Sequence, residues 1–255
     1  MIREYHRPKT LDEALNLLSR EGLVIVPMGG GTVLNRPSPD SVAVVDLQDL
    51  GLNTVEVKGH VLSVGATATL AALLDVRDLP VALMQAIRQE ATYNLRHVAT
   101  VSGTLVSADG RSPLATVLLA LDASLNMMRL DSADEQISLG DILPLRGEKL
   151  RGRLITRITL PLNVRLAYES VARTPADLPI ICVAAARWPS GRTRLGLGGF
   201  GLAPTLALDG PEAQGAEEAA RSAYSDAGDE WASAEYRREM AHVLTRRCLE
   251  QLSQD

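Results

Sequence analysis

Aromatic residues are scarce: the 255-residue chain has one Phe, two Trp and five Tyr. Leu, Val, Ile and Ala must therefore build any core, and a flat ligand would find few side-chain rings to stack on. Cysteine is scarcer still. The two thiols, Cys182 and Cys248, stand far apart with no Cys-x-x-Cys spacing, which argues against a disulfide framework, a zinc knuckle or an iron–sulfur site within this chain. The histidines His6, His60, His97 and His242 are equally scattered. Positive charge is not in excess either. The 26 Lys and Arg against 31 Asp and Glu leave a net charge of −5, without the basic field that phosphate backbones or anionic lipids select. No apolar run of about 18 residues and no basic-then-apolar leader pattern is present, so the expectation is a cytoplasmic protein without a membrane span. No Ser–His–Asp order, His-Glu-x-x-His pattern or pair of carboxylates supports a hydrolase.

What is present is an ordinary globular composition, 46% hydrophobic, long enough to bury a core as one large domain or two smaller ones. Thr10-Leu11-Asp12-Glu13 fits a capping box, and Leu11, Ala14, Leu15 and Leu18 follow at helical spacing until Gly22. Leu23 to Pro27 is a short β-branched run that delivers the chain into Met28-Gly29-Gly30-Gly31-Thr32. Val42 to Asp46 reads as the next strand, and Val55–Val57 with Val61–Val64 reads as a hairpin turning at Gly59. Thr69–Asp75 and Leu79–Thr92 carry helical spacing, Ala99 to Thr104 reads as a second glycine loop, and Pro113–Leu121 reads as a buried helix. Leu125–Leu130 and Arg153–Leu160 alternate as strands do. Beyond Pro161, Ile180–Trp188 and Thr193–Leu197 suggest an antiparallel hairpin ending in a Gly198–Gly201 loop. A polar stretch from Gly210 to Gly228 precedes a final helix with a stripe of Tyr236, Met240, Val243 and Leu244.

Three glycines after a strand let the backbone approach a ligand closely, and successive amides there can cup phosphate oxygens, with Thr32 adding a hydroxyl. Alone the loop is a weak signal, because it matches neither of the common phosphate-binding glycine motifs. The second loop, Thr100-Val101-Ser102-Gly103-Thr104, offers further hydroxyls. It leads through Asp109 to a helix start at Pro113, where exposed amides favour an anion. Two such loops can clamp one pyrophosphate. Ordinary turn hydroxyls are the competing reading of Thr100 and Thr104.

The chain resembles the FAD-binding medium subunit of the molybdenum hydroxylases, the group that includes carbon monoxide dehydrogenase and xanthine dehydrogenase. The likeness is carried by Tyr5-His6-Arg7-Pro8 with Thr10 to Ala14, by Met28-Gly29-Gly30-Gly31-Thr32 as a first flavin loop, and by Arg96 to Leu105 as a second. Ala167-Tyr168-Glu169 with Ala172-Arg173, Leu197-Gly198-Gly199, and Ser233 to Arg238 continue it toward the C-terminus. The resemblance implies an α+β chain with the PCMH-type FAD-binding fold. Residues 1–160 would hold two α/β subdomains, about 1–56 and 57–160, and residues 161–255 a smaller domain with an antiparallel sheet and helices.

The resemblance also implies a task. FAD would be held by Met28, Gly29, Gly30, Gly31, Thr32 and Val33, by Thr100, Ser102, Gly103 and Thr104, and by Asp109, Ile155 and Tyr168. Ile155 and Tyr168 read equally well as core residues. No catalytic residue and no metal ligand is implied in this chain. A large subunit would carry the molybdenum cofactor and a small subunit two [2Fe–2S] clusters, from which electrons would pass through FAD to an external acceptor. Ser102 stands where the family has a glycine, and Pro113 where it carries an Asp. Those two departures favour the alternative, a flavin-free structural or assembly subunit that keeps the fold.

Overall fold

The computed structural model describes residues 1–22, 24–34 and 41–254. Leu23, the first residue of the strand expected over 23–27, lies outside them. In chain order the elements are β1 (Ile2–His6), α1 (Leu11–Leu18), β2 (Val24–Met28), β3 (Val42–Asp46), β4 (Val55–Lys58), β5 (Val61–Gly65), α2 (Leu70–Leu74) and α3 (Val81–Glu90). Then follow α4 (Tyr93–Arg96), α5 (Val101–Ser107), α6 (Pro113–Ala120), β6 (Ser124–Arg129), β7 (Glu135–Ser138), α7 (Leu139–Ile142), α8 (Arg146–Lys149) and β8 (Arg153–Pro161). The chain ends with β9 (Arg165–Val171), β10 (Ile181–Arg187), β11 (Thr193–Gly198), β12 (Thr205–Gly210), α9 (Ala216–Ala223) and α10 (Ala234–Gln254). It is an α+β chain of two compact units, each built from separate stretches of sequence. The first unit takes Met1–Val76, Tyr93–Ser107 and Ser124–Thr159; the second takes Arg77–Thr92, Ala108–Ala123 and the residues from Leu160 onward.

The first unit holds two sheets. One is parallel, in the order β1-β3-β2, with α1 packing Ala14 and Leu15 on Val45 and Leu47. Thr10 caps α1 as expected, its hydroxyl accepting from the Glu13 amide at 3.2 Å, while the Glu13 carboxylate reaches one residue further back than a capping box requires and accepts from the Lys9 amide at 2.9 Å. The Tyr5-His6-Arg7 opening has a structural use here. The Tyr5 hydroxyl donates to buried Asp46 at the end of β3, and Arg7 pairs with Asp49 at 2.7 Å. The other sheet has the order β4-β5-β8-β6-β7, with the β4–β5 hairpin turning at Gly59, whose φ of +61° is left-handed.

The second unit is an antiparallel sheet, β12-β11-β10-β9. Ile181, Val183, Ala185, Leu195 and Leu197 face α9 and α10 through Ala220, Tyr224, Leu244, Cys248 and Leu252. Alternate positions carry small residues, Cys182, Ala184, Ala186, Gly196 and Gly198, against α6. A β-carbon on Gly198 would lie 2.3 Å from the Thr116 hydroxyl, so the Leu197-Gly198-Gly199 motif is a helix-on-sheet packing requirement.

Two expectations need correction. Ala99 to Thr104 is not a loop, because α5 begins at Val101. Backbone bonds from Leu70 to the Ala99 carbonyl (2.9 Å) and from Val101 to the Ala68 carbonyl (2.9 Å) fix its entry, overriding the poor helix propensity of Ser102, Gly103 and Thr104. The buried face of α10 is also different from the expected stripe. Tyr236 is 41% exposed, whereas Arg237, Ala241, Leu244, Thr245, Cys248 and Leu252 are buried. Arg237 tolerates burial because it donates to the carbonyls of Ile180, Ala227 and Ala232, and its Nη2 donates to both carboxylate oxygens of Asp229 at 2.8 and 2.9 Å.

Candidate functional site

At the carboxyl ends of the parallel strands β2 and β3, the chain leaves the sheet as Met28–Leu34 and as Leu47. This is where open α/β sheets leave a crevice for ligands, because side chains and loops diverge there. A cavity of about 260 Å³ opens at that edge, lined by Val26–Leu34, Leu47, Thr100, Ser102, Gly103, Val106, Ser107, Leu150 and Arg153–Ile155. All of these belong to the first unit.

The glycines explain how the two small-residue segments meet. A β-carbon on Gly30 would lie 1.8 Å from the Val98 carbonyl oxygen, and one on Gly29 would lie 2.5 Å from the Thr100 hydroxyl. Only glycine lets the β2 exit pass so close to the entry of α5. Gly31 adds a left-handed turn, with φ of +68°. Gly30 is thus required by the neighbouring backbone and Gly29 by the Thr100 side chain, and that close approach is what brings both segments to one cavity.

The hydroxyls of the second segment are committed within the protein. Thr100 caps α5, its hydroxyl accepting from the Gly103 amide at 3.2 Å. Thr104 donates to the Thr100 carbonyl at 2.9 Å and does not line the cavity. Ser102, nearly buried, donates to the Ala66 carbonyl at 2.6 Å. What the cavity offers a ligand is consequently an apolar surface of Val26, Met28, Leu47, Leu154 and Ile155, the backbone of the glycine run, the Thr32 side chain and one charged lining residue, Arg153.

Of the residues expected at a site, Met28, Gly29, Gly30, Gly31, Thr32, Val33, Thr100, Ser102, Gly103 and Ile155 share this cavity. Asp109 and Tyr168 belong to the second unit. There Asp109 turns the chain before α6, accepting from the Arg111 amide at 2.8 Å. Tyr168 is buried in β9 and donates to Gln89 Oε1 at 2.6 Å; burial holds its phenol well above the usual range, so it stays protonated. The helix start at Pro113 is not open to an external anion. Ser112 caps Ala115 at 3.1 Å, and the Glu90 carboxylate accepts from the Leu114 amide at 2.9 Å and from the Ser112 hydroxyl at 2.7 Å. The protein's own carboxylate occupies the place.

Sequence reasoning did not single out Leu47, Val106, Leu150, Arg153 or Leu154. One signal was available for Leu47: it follows β3 as Gly29 follows β2, in adjacent parallel strands. Arg153 and Leu154 required the pairing of β8 within its sheet. Among the described residues, no group of three or more His, Cys, Asp or Glu could hold a metal ion, and no helix is long and apolar enough to cross a membrane.

Comparison with known proteins places this geometry in context. A family model described as the FAD binding domain in molybdopterin dehydrogenase matches residues 1–163. The chain is 31% identical over 202 residues to the uncharacterized protein YgfM of Escherichia coli, covering 78% of this chain and 75% of that protein. It is 26% identical to the carbon monoxide dehydrogenase medium chain of Afipia carboxidovorans, covering 97% and 95% of the two chains. A solved structure of reconstituted CO dehydrogenase from Oligotropha carboxidovorans superposes with a TM-score of 0.78 at 26% identity, over 97% of this chain and 96% of that one.

Proposed function

We propose, from the premise that the chain belongs to the family of FAD-binding domains in molybdopterin dehydrogenases, that it is the flavoprotein subunit of a molybdenum-hydroxylase-type oxidoreductase. In this reading a large subunit carries the molybdenum cofactor and a small subunit carries [2Fe–2S] clusters. This chain passes electrons from those clusters to an external acceptor. Bound FAD supplies the one- and two-electron chemistry, and the protein supplies binding, orientation and exclusion of water.

One observation carries the reading: the glycine run after β2 and the entry of α5 meet at a single, largely apolar cavity in a chain of this family. The residues present fit one end of the cofactor. A volume of about 260 Å³ is smaller than the roughly 300–1,000 Å³ of sites that enclose a whole drug-sized ligand. The adenosine diphosphate end matches its chemistry. Val26, Met28, Leu47, Leu154 and Ile155 would sandwich the purine in place of aromatic rings, and main-chain amides between Gly29 and Val33 would donate to the diphosphate. Contact of FAD with Asp109 and Tyr168 is proposed from the family resemblance alone.

A flavin-free structural subunit is the second reading, favoured by the internal commitment of the Thr100, Ser102 and Thr104 hydroxyls. The absorption spectrum of the purified chain, before and after adding FAD, separates the two. A flavin band that survives gel filtration is expected. A colourless protein that retains no FAD after reconstitution decides for the second reading.

A further inference from the structure

Arg153 is the one charged side chain among the described residues that line the first unit's cavity. It opens β8 directly after Gly152, whose φ is +66°, and its amide donates to the Leu150 carbonyl at 3.1 Å, so its backbone is fixed on both sides. Among the described residues its guanidinium makes one ion pair, from Nη1 to Glu135 Oε2 at 2.8 Å. Glu135 lies on β7, two strands away. The partner reaches it because Met127 of β6 pairs with Glu135 on one side and with Ile155 on the other.

The two members of the pair are unequally placed. The Arg153 side chain is 26% exposed and that of Glu135 is 55% exposed. Arg153, a lining residue of the cavity, is the less exposed member, and the carboxylate is the one more open to water. A half-exposed pair of this kind contributes little by itself and is readily exchanged for a better acceptor. Guanidinium carries five N–H donors in a flat fork that matches phosphate oxygens, and Glu135 engages only one edge of it.

We propose that Arg153 is a specificity-determining residue of this cavity: it selects phosphate-bearing nucleotides over uncharged nucleosides, and Glu135 holds it in place until a phosphate takes over its donors. The proposal rests on the reading that the cavity takes the adenosine diphosphate end of FAD. It adds to that reading a side chain that no glycine motif contains. It also assigns Glu135 a sign, because a carboxylate competing for the same cation weakens anion binding.

Isothermal titration of the purified full chain with ADP, with adenosine and with FAD tests this, using wild type, Arg153→Gln, Arg153→Lys and Glu135→Gln. Wild type should bind ADP more tightly than adenosine, with a preference that shrinks as salt rises. Arg153→Gln should weaken ADP binding about tenfold, the worth of one charge-assisted hydrogen bond, and leave adenosine unchanged. Arg153→Lys should keep part of the preference, and Glu135→Gln should tighten ADP binding a few-fold. Arg153→Gln binding ADP as wild type does, or losing ADP and adenosine equally, overturns the proposal. FAD uptake without any ADP binding also overturns it while leaving the cofactor assignment standing. A wild-type chain that binds neither FAD nor ADP overturns the cofactor assignment and this proposal together.

Discussion

Glu90 shows how a single residue's chemistry is set by its neighbours. Its carboxyl sits at the N-terminus of α6, accepting from Ser112 and from the Leu114 amide, and burial pushes its pKa up from an ordinary 4.5 to about 7 despite those two bonds. Desolvation wins over hydrogen bonding here because a charged oxygen loses more hydration than two donors return. The folded chain therefore holds the Glu90 proton more tightly than the unfolded chain does. Its contribution to stability is fully present below pH 4.5 and is lost as pH rises to about 7. The size is about 3 kcal/mol, since each pKa unit is worth roughly 1.4 kcal/mol. Glu90→Gln keeps the shape and an acceptor for Leu114 but cannot ionise. Urea midpoints at pH 5 and pH 8 should converge in this variant and stay apart in wild type; an unchanged gap would place the titration on another group.

Among the elements, α10 depends on a buried arginine. Arg237 is fully buried, with Asp229 as its ion partner and three carbonyls as acceptors. Truncation to Ala strands those acceptors and leaves Asp229 without its counter-ion, so urea unfolding should show a loss of about 3–5 kcal/mol. Arg238, one position on and exposed, should tolerate the same change within about 0.5 kcal/mol. The same helix shows why sequence reading ran out. Charge marks Arg237 as a surface residue, and only the loop carrying Asp229 explains its place inside. Elements with strong apolar periodicity and clear caps, such as α1, β3, α6 and the β10–β11 hairpin, were legible to within a residue or two. Strands β1, β7 and β12 were not, because they are edge strands with no fully buried residue and no clean alternation. At the candidate site the glycine run and Thr100–Gly103 were legible as small-residue segments. Their partners Leu47, Arg153 and Leu154 come together only through strand order, which one sequence does not reveal.

For the whole molecule, the cavity's make-up has a thermodynamic consequence. Its lining comes from four stretches, residues 26–34, 47, 100–107 and 150–155, that are distant in sequence yet all lie in the first unit. An unfolded chain holds no such arrangement, so a nucleotide binds only the folded first unit. It stabilises that unit by about 2.7 kcal/mol at a free concentration of 100 times Kd. Both tryptophans, Trp188 and Trp231, lie in the second unit. Their fluorescence on heating therefore follows that unit, whereas far-UV circular dichroism follows both. ADP should raise the midpoint seen by circular dichroism by several degrees and move the tryptophan midpoint less, because ligand free energy reaches the second unit only to the extent that the two unfold together. If the tryptophan midpoint moves further than the circular dichroism midpoint, the nucleotide is being held by the second unit. The residues to mutate would then be Tyr168 and Asp109, not the lining of the glycine-run cavity.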